Sequence, residues 1–142
     1  MTEKREVIII GSGPAAHAAG IYAARARLNP LMFEGEMAGG VAAGGQLTTT
    51  TDVENYPGFK AIMGPELMMK MREQSEHCGT EILTITIDKI ELNNGSISVF
   101  YGNNSIQTKS LIIATGATAK RLNIAGEDTF WQKGMSACAV CD

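Results

Sequence analysis

The stretch VIIIGSGPAA, residues 7–16, joins a short apolar run to a glycine-rich turn. Val7–Ile10 is β-branched throughout, which is typical of a parallel strand buried on both faces. An alanine-rich segment follows and predicts a helix to about Leu28, and the run from Pro30 to Glu34 predicts a second strand. Strand, turn, helix and strand in this order form a βαβ unit, so the sequence predicts an α/β fold with a parallel sheet.

The turn fits the pattern G-x-G-x-x-A, which between a strand and a helix indicates a dinucleotide-binding site. Gly11 would allow the tight turn, Gly13 would let the backbone approach a pyrophosphate, and Ala16 would let helix and strand pack closely. The helix N-terminus offers free N–H groups and a partial positive charge to phosphates. Glu34, about 20 residues further on, is placed to accept from ribose hydroxyls and would repel a 2′-phosphate. The alternative is a glycine-rich turn that binds nothing, and the pattern alone does not separate FAD from NAD.

The rest of the chain predicts a loop, a second helix and an antiparallel β-meander. Residues 36–64 are rich in Gly, Thr, Asn and Pro without a clear period, so we expect this long loop to contact a ligand. A helix is predicted to begin at Gly64 and to end before Gly79. We expect His17 and His77 on helix surfaces. Three strands are predicted next, at residues 81–92, 96–101 and 106–114, with Asn- and Gly-rich turns between them.

The composition limits the possible functions. The formal net charge of −3 comes with scattered basic residues, so neither nucleic acid nor an anionic membrane surface is expected as a partner. No apolar run approaches the ~18 residues of a membrane span, and the N-terminal pattern is not that of a signal peptide. Three cysteines are too few for a disulfide scaffold, so we predict a cytoplasmic protein.

Cys138 and Cys141 form a CxxC pair that Asp142 follows directly. Such a pair can be half of a zinc site, a redox pair or a chance spacing. Zinc would need His77 and Cys78 as further ligands, and neighbouring side chains on a helix point about 100° apart. Redox use fits better, because a CxxC can close into a small disulfide ring and the proximity of its sulfurs helps lower one thiol pKa. We therefore predict no metal site.

Further phrases accompany these motifs: GGQL and ENYPGF within Ala42–Phe59, ATG within Leu111–Leu122, and SACAVCD at residues 136–142. Together they resemble the low-molecular-weight thioredoxin reductases, and the resemblance runs from Val7 to Asp142. It implies a Rossmann-like FAD-binding βαβ unit with an inserted antiparallel β-meander, in a three-layer ββα arrangement. It also implies a flavoprotein oxidoreductase of cell redox homeostasis and of the removal of superoxide radicals. Electrons would pass from NADPH through FAD and a Cys138/Cys141 disulfide to thioredoxin.

The resemblance assigns roles to individual residues. The FAD pyrophosphate would lie against Gly11, Ser12, Gly13, Pro14 and Ala15, with the adenosine ribose at Glu34. The remaining cofactor positions would be Val41, Ala42, Gln46 and Asn55 on the flavin side, Ile87 at the adenine, and Thr115 and Gly116 where the chain returns to the cofactor. Without the resemblance, the amides of Gln46 and Asn55 could bind flavin edges or serve ordinary turns. Cys141 would face the flavin, Cys138 would attack the disulfide of thioredoxin, and Asp142 would manage the proton of the outgoing thiol.

The chain departs from the family after Asp142, where a second glycine-rich fingerprint for NADPH and a segment completing the FAD domain would follow. We therefore expect residues 1–119 to be the N-terminal part of an FAD-binding domain, incomplete at its C-terminus. Residues 120–142 would be the truncated start of an NADPH domain. NADPH would bind through residues absent from this chain, so we expect the fragment to be inactive alone and to bind FAD weakly. The full-length protein is expected to be a homodimer.

Two other interpretations remain open. The chain could be the N-terminal part of a related flavin disulfide reductase of the alkyl hydroperoxide reductase type. It could also be a catalytically idle flavin-binding module.

Overall fold

The computed structural model describes residues 4–36, 43–131 and 133–138. In these ranges the strands are β1 Lys4–Ile10, β2 Leu31–Phe33, β3 Glu81–Leu83, β4 Lys89–Asn93, β5 Ser96–Tyr101 and β6 Asn104–Ile113. The helices are α1 Pro14–Arg25, α2 Gly64–His77 and the short α3 Glu127–Phe130, with a 3₁₀ helix at Gly45–Thr49. The strands form a single sheet in the order β3-β2-β1-β6-β5-β4.

The sheet is parallel at one end and antiparallel at the other. β1 lies between β2 and β6 and pairs in parallel with both, while β3 extends the parallel part beyond β2. β5 pairs in antiparallel fashion with β4 and β6. β6 is shared, because its first half pairs with β5 and its second half pairs with β1. The predicted βαβ unit is therefore confirmed, and the meander joins it through one long strand.

Two apolar clusters cover the two faces of the parallel strands, because successive side chains of a strand point to opposite faces. The α1-facing cluster consists of Val7, Ile9, Ala16, Ala23 and Met32. The opposite cluster consists of Ile8, Leu31, Phe33, Val99 and Ile106. Since the last two residues belong to β5 and β6, the antiparallel strands pack over the sheet face that α1 leaves free. This is the predicted three-layer arrangement.

The strand predicted at residues 81–92 is wrong as a single element of the meander. Its first part, β3, pairs in parallel with β2, whereas β4 begins only at Lys89 and pairs with β5. Between them Thr84 donates a hydrogen bond to the Glu34 carboxylate, and Thr86 accepts one from the N–H of Glu36. The alternating pattern of residues 84–88 is typical of a strand, but these residues form the segment that connects the parallel part of the sheet to the antiparallel part.

His17 is buried, with 2% of its surface exposed, so its prediction as a surface residue is wrong. It lies three residues before Gly20, on the α1 face that packs against α2. At Gly20 a Cβ atom would lie 2.8 Å from the Ser75 hydroxyl oxygen, which shows how closely the helices approach. Burial lowers the pKa of His17, although the charge of Glu34 acts in the opposite direction. His77 is exposed, as expected.

The described part of the predicted ligand loop has its own small core. Val53 and Ile62 form an antiparallel bridge and pack with Leu67, Met68 and Met71 of α2. The first residue of α2, Gly64, lies directly against the 3₁₀ helix, because a Cβ at Gly64 would lie 1.9 Å from the carbonyl oxygen of Leu47. The loop is therefore fixed against α2.

Gly11 gives a prediction for stability. Its φ is +120°, and a Cβ there would lie 2.1 Å from the carbonyl oxygen of Ala114. We expect Gly11→Ala to lower the free energy of unfolding by about 3 kcal/mol or more, because backbone strain and a backbone clash add. Urea unfolding of the chain measures the change. Gly35→Ala is the matched control, since Gly35 has φ +79° and open space around it; it should cost only about 1 kcal/mol. Equal losses would contradict the steric explanation.

Candidate nucleotide-binding site

A cavity of about 710 Å³ lies at the carboxyl ends of the parallel strands. Five segments line it: the turn after β1, the end of β2, residues 43–47 at the 3₁₀ helix, the segment after β3 and the segment after β6. Its lining includes Gly11, Ser12, Gly13, Pro14, Glu34, Gln46, Ile85, Ile87, Thr115 and Gly116. Ligands in open α/β folds bind in this position, because the strand ends leave a crevice there.

The glycine-rich turn opens the cavity toward the start of α1. Gly13 is the N-cap of α1, and a Cβ built on it would meet no atom within 4 Å. The cap has no side-chain hydrogen bond, and Pro14 takes a first-turn position where its missing N–H costs nothing. The next N–H groups of α1 and the positive end of its dipole are therefore available to an anion. A pyrophosphate group fits this arrangement.

Ser12 has a structural function in the site. Its hydroxyl donates to the carbonyl oxygen of Glu34 at 2.9 Å and accepts from the N–H of Gly44 at 2.8 Å. One buried side chain thus ties the turn to the end of β2 and to the loop before the 3₁₀ helix. Because both bonds are internal, a ligand would contact the backbone of Ser12.

Two carboxylates line the cavity, Glu34 and Glu36, and Glu34 already has two side-chain partners. Arg72 of α2 donates from Nε to Oε2 at 3.0 Å and from Nη2 to Oε1 at 3.3 Å. Thr84 donates to Oε1 at 2.5 Å. Burial acts to raise the pKa of Glu34, but the hydrogen bonds and the positive charge of Arg72 outweigh it, so the pKa lies below its ordinary value. The group is therefore a carboxylate at neutral pH.

Most of the predicted cofactor residues converge on this cavity, but not all of them. Ala15 is exposed on α1 and Asn55 is exposed on the loop, and neither lines the cavity. Val41 and Ala42 lie outside the described residues. Gln46 lines the cavity and donates to the carbonyl oxygen of Ala117 at 3.4 Å. The grouping of the remaining residues agrees with the prediction, while their individual roles stay predictions.

The segment before the cysteine pair is held by contacts of its own. The Arg121 guanidinium lies 3.5 Å from the centre of the Trp131 ring. Glu127 accepts from the N–H groups of Leu122 and Asn123, at 2.9 and 2.6 Å, and the hydrogen bond from Leu122 is the main reason for its lowered pKa. Trp131 also bridges to Met135. Trp131 thus links Arg121 on one side to Met135 on the other.

Cys138 is half-buried and disulfide-bonded, whereas Cys78 is a free thiol. The N–H of Cys138 donates to the Ser136 hydroxyl at 3.0 Å. Within the described ranges, the cavity lining does not include Cys138. Cys141 and Asp142 lie outside the described residues, so the structure does not test their predicted roles.

Arg72 and Thr84 are site residues that the sequence did not reveal. Arg72 is 38 positions and Thr84 is 50 positions from Glu34 in the sequence, and neither belongs to a motif. A basic residue in an amphipathic helix ordinarily faces solvent. The packing of α2 against α1 and the 3₁₀ helix brings Arg72 to Glu34, just beyond the end of β2.

These features define an α/β fold with a crevice of the nucleotide-binding kind, and the sequence comparison agrees. Residues 5–142 match the family described as pyridine nucleotide-disulphide oxidoreductase. The chain belongs to this family.

Its relatives are named more narrowly. The chain is 62% identical to "Thioredoxin reductase" of Dictyostelium discoideum, over 99% of the chain and 46% of that protein. It is 55% identical to "Thioredoxin reductase 1" of Saccharomyces cerevisiae, over 96% of the chain and 44% of that protein. The chain thus spans less than half the length of these curated relatives.

Solved structures show the same likeness. Thioredoxin reductase from Giardia duodenalis superposes with a TM-score of 0.83 at 45% identity, over 99% of this chain and 45% of that chain. Thioredoxin reductase from Streptococcus pyogenes gives a TM-score of 0.83 at 41% identity, over 100% of this chain and 45% of that chain.

Two searches of the described residues gave no candidates. No helix among them is long and apolar enough to cross a membrane. The same ranges hold no group of three or more His, Cys, Asp or Glu side chains arranged to bind a metal ion.

Gly13 gives a prediction that separates binding from folding. Its φ of −77° suits any residue, and the space beside it is open. We expect Gly13→Ala to leave the free energy of unfolding within about 0.5 kcal/mol, while the methyl group occupies the cavity. Dinucleotide affinity should fall about tenfold or more. Calorimetric titration and urea unfolding of the same sample measure both quantities. An unchanged affinity would contradict a pyrophosphate site at this turn.

Proposed function

We propose that the chain is the flavin-binding part of a thioredoxin-disulfide reductase, in which electrons pass from NADPH through FAD and a Cys138/Cys141 disulfide to thioredoxin. The main support is the cavity, where the open turn at Gly13, the Glu34 carboxylate and the Thr115–Gly116 segment meet. The names and identities of the relatives point to the same activity.

The cavity residues suit the parts of FAD. The turn and the N-terminus of α1 would hold the pyrophosphate, and Glu34 would accept from the adenosine ribose. Ile87 would contact the adenine, Gln46 would lie on the flavin side, and Thr115 and Gly116 would lie where the chain returns to the cofactor. When bound, FAD would supply two-electron transfer between NADPH and the disulfide. The chain carries one dinucleotide fingerprint, and we propose that NADPH binds outside its 142 residues.

The cysteine pair would transfer the electrons by thiol–disulfide exchange. After reduction of the pair, the Cys138 thiolate would attack one sulfur of the thioredoxin disulfide, forming a mixed disulfide and releasing the second thioredoxin thiolate. Asp142 would deliver a proton to that leaving thiolate. The Cys141 thiolate would then attack the Cys138 sulfur, restoring the Cys138–Cys141 disulfide and releasing reduced thioredoxin.

Other assignments are part of the same proposal. We assign residues 1–119 to the FAD-binding domain and residues 120–142 to the start of an NADPH domain. Homodimer formation and a cytoplasmic location stay predictions.

A chimera tests the proposed activity. Residues 1–142 would replace the matched residues of the Dictyostelium relative, with which they share 62% identity. We expect this protein to purify yellow, to release FAD on denaturation and to reduce thioredoxin with NADPH in a coupled absorbance assay. Tightly bound NAD without flavin would rule out the proposed cofactor. A flavin-loaded chimera without turnover would rule out the proposed activity.

The cysteine roles have their own test in this chimera. Cys141→Ser should trap thioredoxin as a mixed disulfide at Cys138, because the thiol that resolves the bond is missing. Cys138→Ser should trap much less, and Cys78→Ser, which changes the free thiol, should keep full turnover. Mass spectrometry of non-reduced samples measures the trapped complex. Equal trapping by both CxxC variants would contradict the assigned order of attack.

A further inference from the structure

Glu34 is held by two side chains of different elements. Arg72 projects from α2 and forms a two-point contact with both carboxylate oxygens, and Thr84 reaches Oε1 from the segment after β3. The Glu34 side chain is only 5% exposed, so these partners fill most of its surroundings. Arg72 is fixed in turn by Glu76, one turn further along α2, at 2.8 Å. The guanidinium is therefore held on two sides.

The acceptor capacity of the carboxylate follows from these contacts. An ionised carboxylate has about four lone-pair positions, two on each oxygen. Among the described residues, Oε1 accepts from Thr84 and from Arg72 Nη2, whereas Oε2 accepts only from Arg72 Nε. One position remains, and it is on Oε2.

We infer that Arg72 and Thr84 are positioning residues that fix the Glu34 carboxylate so that a single oxygen, Oε2, is left to accept from one ribose hydroxyl. This inference rests on the proposed function, because it concerns the adenosine ribose of the bound dinucleotide. With this pairing, Glu34 can accept a hydrogen bond from only one ribose hydroxyl, whereas a carboxylate without partners could accept from both.

The same partners keep Glu34 ionised. Burial alone would raise its pKa, and the contacts from Arg72 and Thr84 reverse this effect. The other titratable groups that act on this network are His17 of α1 and Glu76 of α2. Without Arg72 the carboxylate would take up a proton at a higher pH and would then lose acceptor capacity.

The variants are Arg72→Met, which keeps the apolar stem and removes the guanidinium, and Thr84→Val, which removes only the hydroxyl. Lys70→Met is the matched control, because Lys70 is exposed on the same helix and pairs with Glu66 instead. The wild-type chain and its variants are carried in the chimera described above, and the probes ADP, 2′-deoxy-ADP and 3′-deoxy-ADP are titrated calorimetrically into the flavin-free protein. FAD binding by the wild-type chain is measured in parallel.

For the wild-type chain, one deoxy analogue should bind about tenfold more weakly than ADP and the other within about twofold, because a hydrogen bond to a charged group is lost in only one case. Arg72→Met should weaken ADP about tenfold, Thr84→Val less, and Lys70→Met within about twofold. The deoxy analogue that binds weakly to the wild-type chain should bind Arg72→Met with the same affinity. Removing the ribose hydroxyl and removing Arg72 both abolish the same hydrogen bond to Glu34, so the second change costs nothing more.

Measuring ADP affinity against pH distinguishes a positioning role of Arg72 from a general loss of folded structure in the variant. As the pH falls, ADP affinity should decline at a higher pH in Arg72→Met than in the wild-type chain, since protonation of Glu34 removes the acceptor. Arg72 also acts to lower the pKa of His17, so both profiles are recorded in a His17→Gln background, where the difference reports Glu34.

Three results would overturn the inference. They are equal weakening by both deoxy analogues, an equal loss of affinity for every probe in Arg72→Met, and an unmoved pH profile. These leave the proposed function standing as long as the wild-type chain binds FAD. If the wild-type chain binds neither ADP nor FAD, the proposed function and the inference both fall.

Discussion

The missing side chain of Gly11 is the constraint on which the cavity depends. Its N–H donates to the carbonyl oxygen of Phe33 at 2.9 Å, and the N–H of Ala114 donates to the carbonyl oxygen of Ile10 at 2.7 Å. The turn therefore runs between the ends of β2 and β6, with no room for a Cβ on the side of Ala114. Because these strand ends are drawn together, Glu34 and Thr115, the residues just beyond them, form opposite parts of one cavity lining.

Gly11 and Gly13, two positions apart, thus have different functions. Gly11 is required by the fold, since its φ and the Ala114 contact both exclude a side chain. No contact among the described residues requires a glycine at position 13, because its φ is ordinary and no described atom lies beside it. An open position in a turn that packing does not explain points to a ligand. The fingerprint therefore combines one folding requirement and one binding requirement two residues apart.

How much the sequence could predict depended on the distance between interacting residues. The β1–turn–α1 unit was predicted from the residues themselves, because strand periodicity and the G-x-G-x-x-A spacing are local signals. The three layers and the lining positions Gln46, Ile87, Thr115 and Gly116 were expected from the resemblance to the family. The separate strand β3, the burial of His17 and the Arg72 contact were missed. Each depends on an element distant in the chain: β3 on its pairing with β2, His17 on α2, and Glu34 on a residue 38 positions away. Local pattern carries no information about such partners.

Helix α2 links these distant parts of the site. Its first residue, Gly64, lies against the 3₁₀ helix, and Met68 packs on the bridged loop. Arg72, one turn later, holds the Glu34 carboxylate, and Ser75 contacts α1 at Gly20. Residues spaced by three or four lie on one side of a helix, so a single α2 face contacts the loop, Glu34 and α1. A shift of α2 would therefore move the loop and the carboxylate together, which couples both ends of the cavity through one helix.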